Sequence, residues 1–161
     1  MTSTKEQVEQ IIELLNKRNE TISVAESLTA GGLANMLTSA SGSSSVFIGG
    51  LTAYRNEIKS EMLGVDLSVI ADHTVVSEPV ANAMGDGAIK KFGSTWAIAT
   101  TGVAGPGPLE GHQPGEVWIA IRGPINQAIQ LTLEGNREQV RSGTISTAIA
   151  TLARILKARS S

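Results

Sequence analysis

The chain of 161 residues carries 13 basic and 15 acidic side chains, a formal charge of −2, with 41% apolar and 17% charged residues. A chain of this length buries roughly 70% of its unfolded surface, and this composition is that of a globular domain rather than a disordered one. The lack of cysteine excludes disulfides, thiolate nucleophiles and Cys-ligated zinc. His73 and His112 stand outside any metal-ligand spacing, and no clustered basic surplus with interleaved aromatics points to nucleic acid.

In residues 5–18, Val8, Ile11, Ile12 and Leu15 recur at helical spacing and predict an amphipathic helix. "TISVA" (21–25) reads as a short buried strand, followed by a helix from about Thr29 to Ser39 that ends in the breaker cluster "SASGSSS". "VFIGGLTAY" (46–54) is strand-like, and "RNEIKSEML" is helical up to Gly64. A helix from Ser77 to Phe92 opens on Ser-Glu-Pro, a good N-cap followed by early helical positions. "WAIATTGVAG" (96–105) is an apolar strand running into the loop "GPGPLEGHQPG". Two further strands lie within 116–134, separated by "GPIN", and a final helix starts near Asn136. Strands that alternate with helices and end in an antiparallel-type pair predict an α/β fold, a mixed sheet with helices on both faces, in one domain over 1–161. No 18-residue apolar run and no signal-peptide core is present, so a soluble cytoplasmic protein without membrane partners is expected.

Three stretches carry chemistry-bearing residues. "SVAESLTAGGLANML" (23–37) places Glu26, Ser27, Thr29, Gly31 and Gly32 where a strand passes into a helix. Either Ser27 or Thr29 is then an ordinary N-cap, or the turn exposes a reactive side chain beside unpaired amide donors. "YRNEIK" sets Tyr54 five residues before Lys59. A serine without histidine needs another base, and a desolvated lysine is the one available, with Tyr54 relaying the proton or fixing the lysine. Arg137 and Arg141 share one face at the start of the last helix. Cations there oppose the helix dipole, so they are either surface charges or a clamp for an anion such as phosphate. "GPGPLEG" has the wrong glycine spacing for a dinucleotide loop, and there is no P-loop, so nucleotide-cofactor folds are not indicated.

Five ordered blocks together resemble the CinA C-terminal domain family, the competence/damage-inducible CinA-like proteins that include the PncC-type nicotinamide mononucleotide amidohydrolases. The blocks are "AESLTAGG", "SGSSSVFIGGLTAYRNEIKSEMLGV", "VSEPVANAMGDGA", "TGVAGPGPLEGHQPGEVWIAI" and "LEGNREQVR". The resemblance runs over roughly residues 5–157. It implies a three-layer α/β/α sandwich with a mixed, mostly parallel sheet, and metal-free, cofactor-free hydrolysis of the nucleotide amide by serine/lysine chemistry. By motif position it implies Ser27, Ser44, Tyr54 and Lys59 as catalytic residues, with Ser27 or Ser44 as nucleophile. Glu26, Thr101, Gly102 and Arg141 are implied in substrate binding, joined by Thr29, Gly31 and Arg137 from the residue-level reading. Backbone N–H groups of Gly31-Gly32 or Thr101-Gly102 are the expected oxyanion donors. Leu28 and Ala30 stand where the family has Cys and Gly, and Ala30 fits without strain only if its φ is negative. A homo-oligomer with a small-molecule nucleotide substrate is expected. The rivals are a nucleotide-binding module without turnover and a partner-binding domain linked to competence or the damage response.

Overall fold

Alternation along β1 (Ile22–Glu26) and β3 (Trp96–Gly102) sorts side chains by size onto the two faces of one sheet. Ile22, Val24, Trp96 and Ile98 point to one side, where they pack with Val117, Ile119 and Ile121 of β4 (Glu116–Arg122). Helices α1 (Thr4–Arg18), α2 (Gly32–Leu37) and α6 (Arg137–Ala158) cover that side. Ala25, Ala97, Ala99 and Ala120 point to the other side, under α3 (Asn56–Leu63), α4 (Leu67–His73) and α5 (Glu78–Phe92). Small residues on that face let α5 lie close. A Cβ at Gly85 would come within 2.5 Å of Arg122 Cγ, and one at Gly87 within 2.0 Å of the Leu63 carbonyl.

The computed structural model describes residues 1–160. With β2 (Phe47–Thr52) and β5 (Gln127–Thr132) the sheet order is β2-β1-β3-β4-β5. β2, β1 and β3 pair in parallel, while β4 is antiparallel to both β3 and β5, so four strands share one direction and β4 alone runs back. The molecule is therefore the expected α/β/α sandwich on a mixed, mostly parallel sheet. Among the described residues no helix is long and apolar enough to cross a membrane.

Two elements depart from the sequence reading. α2 begins at Gly32 rather than Thr29, because Ala30 (φ 48°) and Gly31 (φ 92°) are left-handed and cannot continue a helix. α4 was not anticipated. It has seven residues with only Ile70 buried, too few for a periodic signal, and it is started locally by Asp66, whose Oδ1 accepts from Ser68 N–H at 2.9 Å.

Ala30 thus holds a conformation that glycine adopts freely. Ala30→Gly is expected to stabilise the protein by about 0.5–1 kcal/mol, the left-handed cost less the entropy glycine loses on folding. A thermal melt should rise by about 2 °C, and an unchanged or lower midpoint would show the turn is unstrained.

Candidate active site

The parallel strands end together, and the residues that follow them form a cleft of about 480 Å³. Ser27 and Leu28 come from the turn after β1, and Tyr54, Arg55, Asn56 and Glu57 from the junction of β2 with α3. The end of β3 contributes Gly102, the loop after it Val103 to Gly105 and Gly107 to Glu110, and α6 contributes Arg137.

Lys59 lies beneath the floor of this cleft. It shares the inward face of α3 with Leu63 and is 1% exposed, so its amine reaches under the β1 turn. Nζ donates to Ser27 Oγ at 3.1 Å and to the Tyr54 carbonyl at 3.0 Å. Burial pushes the amine down to about 8, against the opposing pull of the Glu110 carboxylate. A serine hydroxyl touching a desolvated amine is an arrangement that can serve as nucleophile and base.

The turn that presents Ser27 is held by Glu26. Its buried carboxylate crosses to the start of α2, where Oε1 accepts from Leu33 N–H at 2.7 Å and Oε2 from Ala34 N–H at 3.2 Å. Glu26, not Ser27 or Thr29, therefore caps this helix, and both its oxygens are committed to the fold. Thr29 is fully buried, with Oγ1 against Thr100 Oγ1 at 2.8 Å. Thr101 Oγ1 donates to the Val75 carbonyl at 2.8 Å, tying β3 to the α4–α5 connection.

The expected oxyanion donors are redistributed. Gly32 N–H is spent on the Thr29 carbonyl at 2.8 Å, and neither Gly31 nor Gly32 borders the cleft that holds Ser27. Ser27 N–H continues the ladder to the Thr100 carbonyl (3.1 Å), but the Ser27 carbonyl turns to accept from Ala30 N–H. The N–H groups of Leu28 and Gly102, both lining the cleft, are left without a protein partner among the described residues. Gly102 also has no room for a side chain, since a Cβ would meet the Glu116 carbonyl at 2.7 Å and Val117 Cα at 2.9 Å.

Tyr54 and Ser44 are arranged differently from expectation. The Tyr54 phenol points away from Lys59, is 53% exposed, and accepts from Arg137 Nη2 at 3.1 Å. Its backbone carbonyl, not its phenol, meets the amine and helps fix Lys59. Ser44 lies in the 3₁₀ turn Ser43–Ser45 ahead of β2, whose first residue pairs with Ile22. Ser27 follows the far end of β1, so the sheet separates the two serines by roughly 15 Å.

Arg137 also donates to the Gly105 carbonyl at 2.7 Å and stands between the cleft and a second cavity of about 490 Å³. Thr29, Gly32, Arg141 and Ile145 line that cavity, and Arg141 donates weakly to the Thr29 carbonyl at 3.4 Å. The residues that sequence reasoning missed are Asn56, Val75 and Glu110, which border the cleft from loops and a helix start.

The CinA C-terminal domain profile matches residues 4–156. Over 154 residues the chain is 43% identical to a CinA-like protein of Prochlorococcus marinus, covering 93% of this chain and 36% of that protein. It is 41% identical over 133 residues to a putative competence-damage inducible protein of Pediococcus pentosaceus, covering 81% and 32%. The chain thus spans about a third of the length of these curated relatives. Among solved structures, a competence-damaged protein (CinA) superfamily protein from Klebsiella pneumoniae superposes with a TM-score of 0.92 at 28% identity, covering 97% of this chain and 99% of the other. A competence/damage inducible protein from Agrobacterium tumefaciens gives 0.90 at 30% identity, covering 98% and 99%.

Proposed function

We propose that this chain, which belongs to the CinA C-terminal domain family, hydrolyses the carboxamide of nicotinamide mononucleotide to nicotinate mononucleotide and ammonia. The observation that carries this reading is the 3.1 Å contact between Ser27 Oγ and the buried Lys59 amine at the base of an open cleft.

The chemistry follows from those two groups. Deprotonated Lys59 takes the hydroxyl proton as Ser27 Oγ attacks the amide carbon, and a tetrahedral oxyanion forms. Leu28 and Gly102 N–H groups stabilise that oxyanion. The C–N bond then breaks, and the departing nitrogen takes the proton from Lys59 and leaves as ammonia. Water, deprotonated by the same amine, attacks the acyl-serine and releases the nicotinate carboxylate. The substrate's phosphate belongs in the second cavity, where Arg141 and Arg137 supply guanidinium donors at the start of α6.

Purified protein incubated with nicotinamide mononucleotide is expected to release ammonia and nicotinate mononucleotide in equal amounts. Nucleotide binding without ammonia would overturn the amidase reading in favour of a binding module. Arg141→Ala is expected to raise KM by about 10- to 100-fold with kcat little changed, the loss of one charge-assisted phosphate contact. An unchanged KM would take Arg141 out of the phosphate site.

A further inference from the structure

The charges around the cleft do not cancel locally. Arg55 and Glu57 pair with each other at 3.4 Å, and Lys59 is turned down onto Ser27. Arg137 meets only neutral acceptors, the Tyr54 phenol and the Gly105 carbonyl. Glu110 is the converse case, a carboxylate bordering the cleft that has no ion-pair partner among the described residues. Both its oxygens are nevertheless fixed, since Oε2 accepts from Val75 N–H at 2.8 Å and Oε1 from Asn56 Nδ2 at 3.3 Å.

The surrounding loop is braced to keep it there. His112 bridges Thr74 Oγ1 and Glu116 Oε2, each at 2.6 Å, with the carboxylate fixing the ring proton on Nδ1. Leu109 and His112 exchange backbone bonds at 3.0 and 2.8 Å around the turn that carries Glu110. Glu110 itself takes a left-handed backbone (φ 48°) and is exposed at the edge of the cleft. A charged group held by neutral donors, in a strained turn, beside the reactive pair, is arranged for an incoming cation.

We propose that Glu110 is a specificity-determining residue that recognises positive charge on the substrate ring. It would select ligands whose carboxamide is borne on a cationic heterocycle over those with a neutral ring. This rests on the amidase reading above for the identity of the ligand. Nicotinamide mononucleotide carries a pyridinium cation at one end and a phosphate at the other. The cleft offers it a carboxylate without an ion-pair partner at Glu110, and guanidiniums at Arg137 and Arg141 that meet only neutral acceptors. The same carboxylate also acts electrostatically on the Lys59 amine.

The test is equilibrium binding to Ser27→Ala protein at pH 8, comparing nicotinamide mononucleotide with its reduced dihydro form. The two share carboxamide, ribose and phosphate, and they differ in ring charge. The oxidised form is expected to bind about two- to fivefold more tightly, the effect of one partly exposed ion pair. Adding Glu110→Gln, which keeps an acceptor for Val75 N–H, should bring the ratio of the two Kd values to about one. The affinity for the reduced form should stay within about twofold, and Glu110→Asp should restore part of the ratio. Equal binding of both forms before the Glu110 change, or a ratio that survives Glu110→Gln, overturns the proposal. If neither nucleotide binds, this proposal and the nucleotide reading fall together. If the ratio behaves as expected and unsubstituted protein releases no ammonia, only the amidase reading falls.

Discussion

Lys59→Met is expected to abolish ammonia release while making the protein more stable at neutral pH. The first effect follows from losing the base in contact with Ser27, worth at least about 10³-fold in kcat. The second follows from the position of the amine. Burial lowers its pKa from 10.5 to about 8, so between those values the unfolded chain holds a proton that the folded chain does not. The unfolding free energy therefore rises with pH across that window, and at pH 7 the buried charge costs up to roughly 3 kcal/mol. Methionine fills the same space without a charge and should recover much of this cost, raising the melting midpoint at pH 7 by several degrees. The variant should also lose the increase in stability between pH 8 and 10.5. In the unsubstituted protein kcat/KM should climb about tenfold per pH unit up to about 8 and then level, since only the neutral amine accepts a proton. Turnover surviving in the methionine variant would remove Lys59 as the base. A midpoint that falls would show that the amine's hydrogen bonds outweigh its desolvation.

Ser27→Ala carries the second large effect. Loss of the attacking oxygen should lower kcat by at least about 10⁴-fold, because nucleophile and base act as a unit. Nucleotide affinity should change by no more than about twofold, since the phosphate contacts lie on α6. The hydroxyl's one side-chain hydrogen bond comes from Lys59, so folding should be little affected. A fluorophosphonate probe should label the unsubstituted protein at Ser27, label Lys59→Met far more slowly, and leave Ser27→Ala unmodified. Labelling at another serine with turnover retained would transfer the nucleophile elsewhere.

The parts of the fold legible in the sequence were those with a repeating signal. The aliphatic stripe of α1, the Ser-Glu-Pro opening of α5 and the apolar runs of β1 and β3 each carry several residues that agree. α4 carries one buried residue and an Asp66 cap, which gives no periodicity to read. Within the site, Ser27 (with Ser44) and Lys59 were nameable as candidate nucleophile and base because each is the chemically required type, yet the Ser27–Lys59 contact joins positions 32 apart and depends on β1 and β2 lying side by side. The helix cap that Glu26 supplies was not legible, because its carboxylate reaches across a turn to N–H groups seven and eight residues ahead, beyond the local reach of capping patterns. Glu110 was hidden for a related reason. A carboxylate in a Gly/Pro loop has no direction until Val75, Asn56 and the His112 brace supply one.

The placement of α6 has a consequence for biosynthesis. β1, β2, β3 and α3, which bring Ser27 and Lys59 together, are all encoded before residue 103, whereas Arg137 and Arg141 come after every strand. A nascent chain can therefore bring Ser27 and Lys59 together before the helix that carries Arg137 and Arg141 exists. Until α6 leaves the ribosome, the face carrying Ile98, Val117, Ile119 and Ile121 has only α1 and α2 to shield it, a bare aliphatic surface of the kind chaperones bind. The contact from Arg137 to Tyr54, spanning 83 positions, then draws the last helix to the first half of the cleft. On the proposed function, completing the nucleotide site would be the final act of folding, and a ribosome-stalled chain ending before α6 should engage a chaperone and bind no nucleotide.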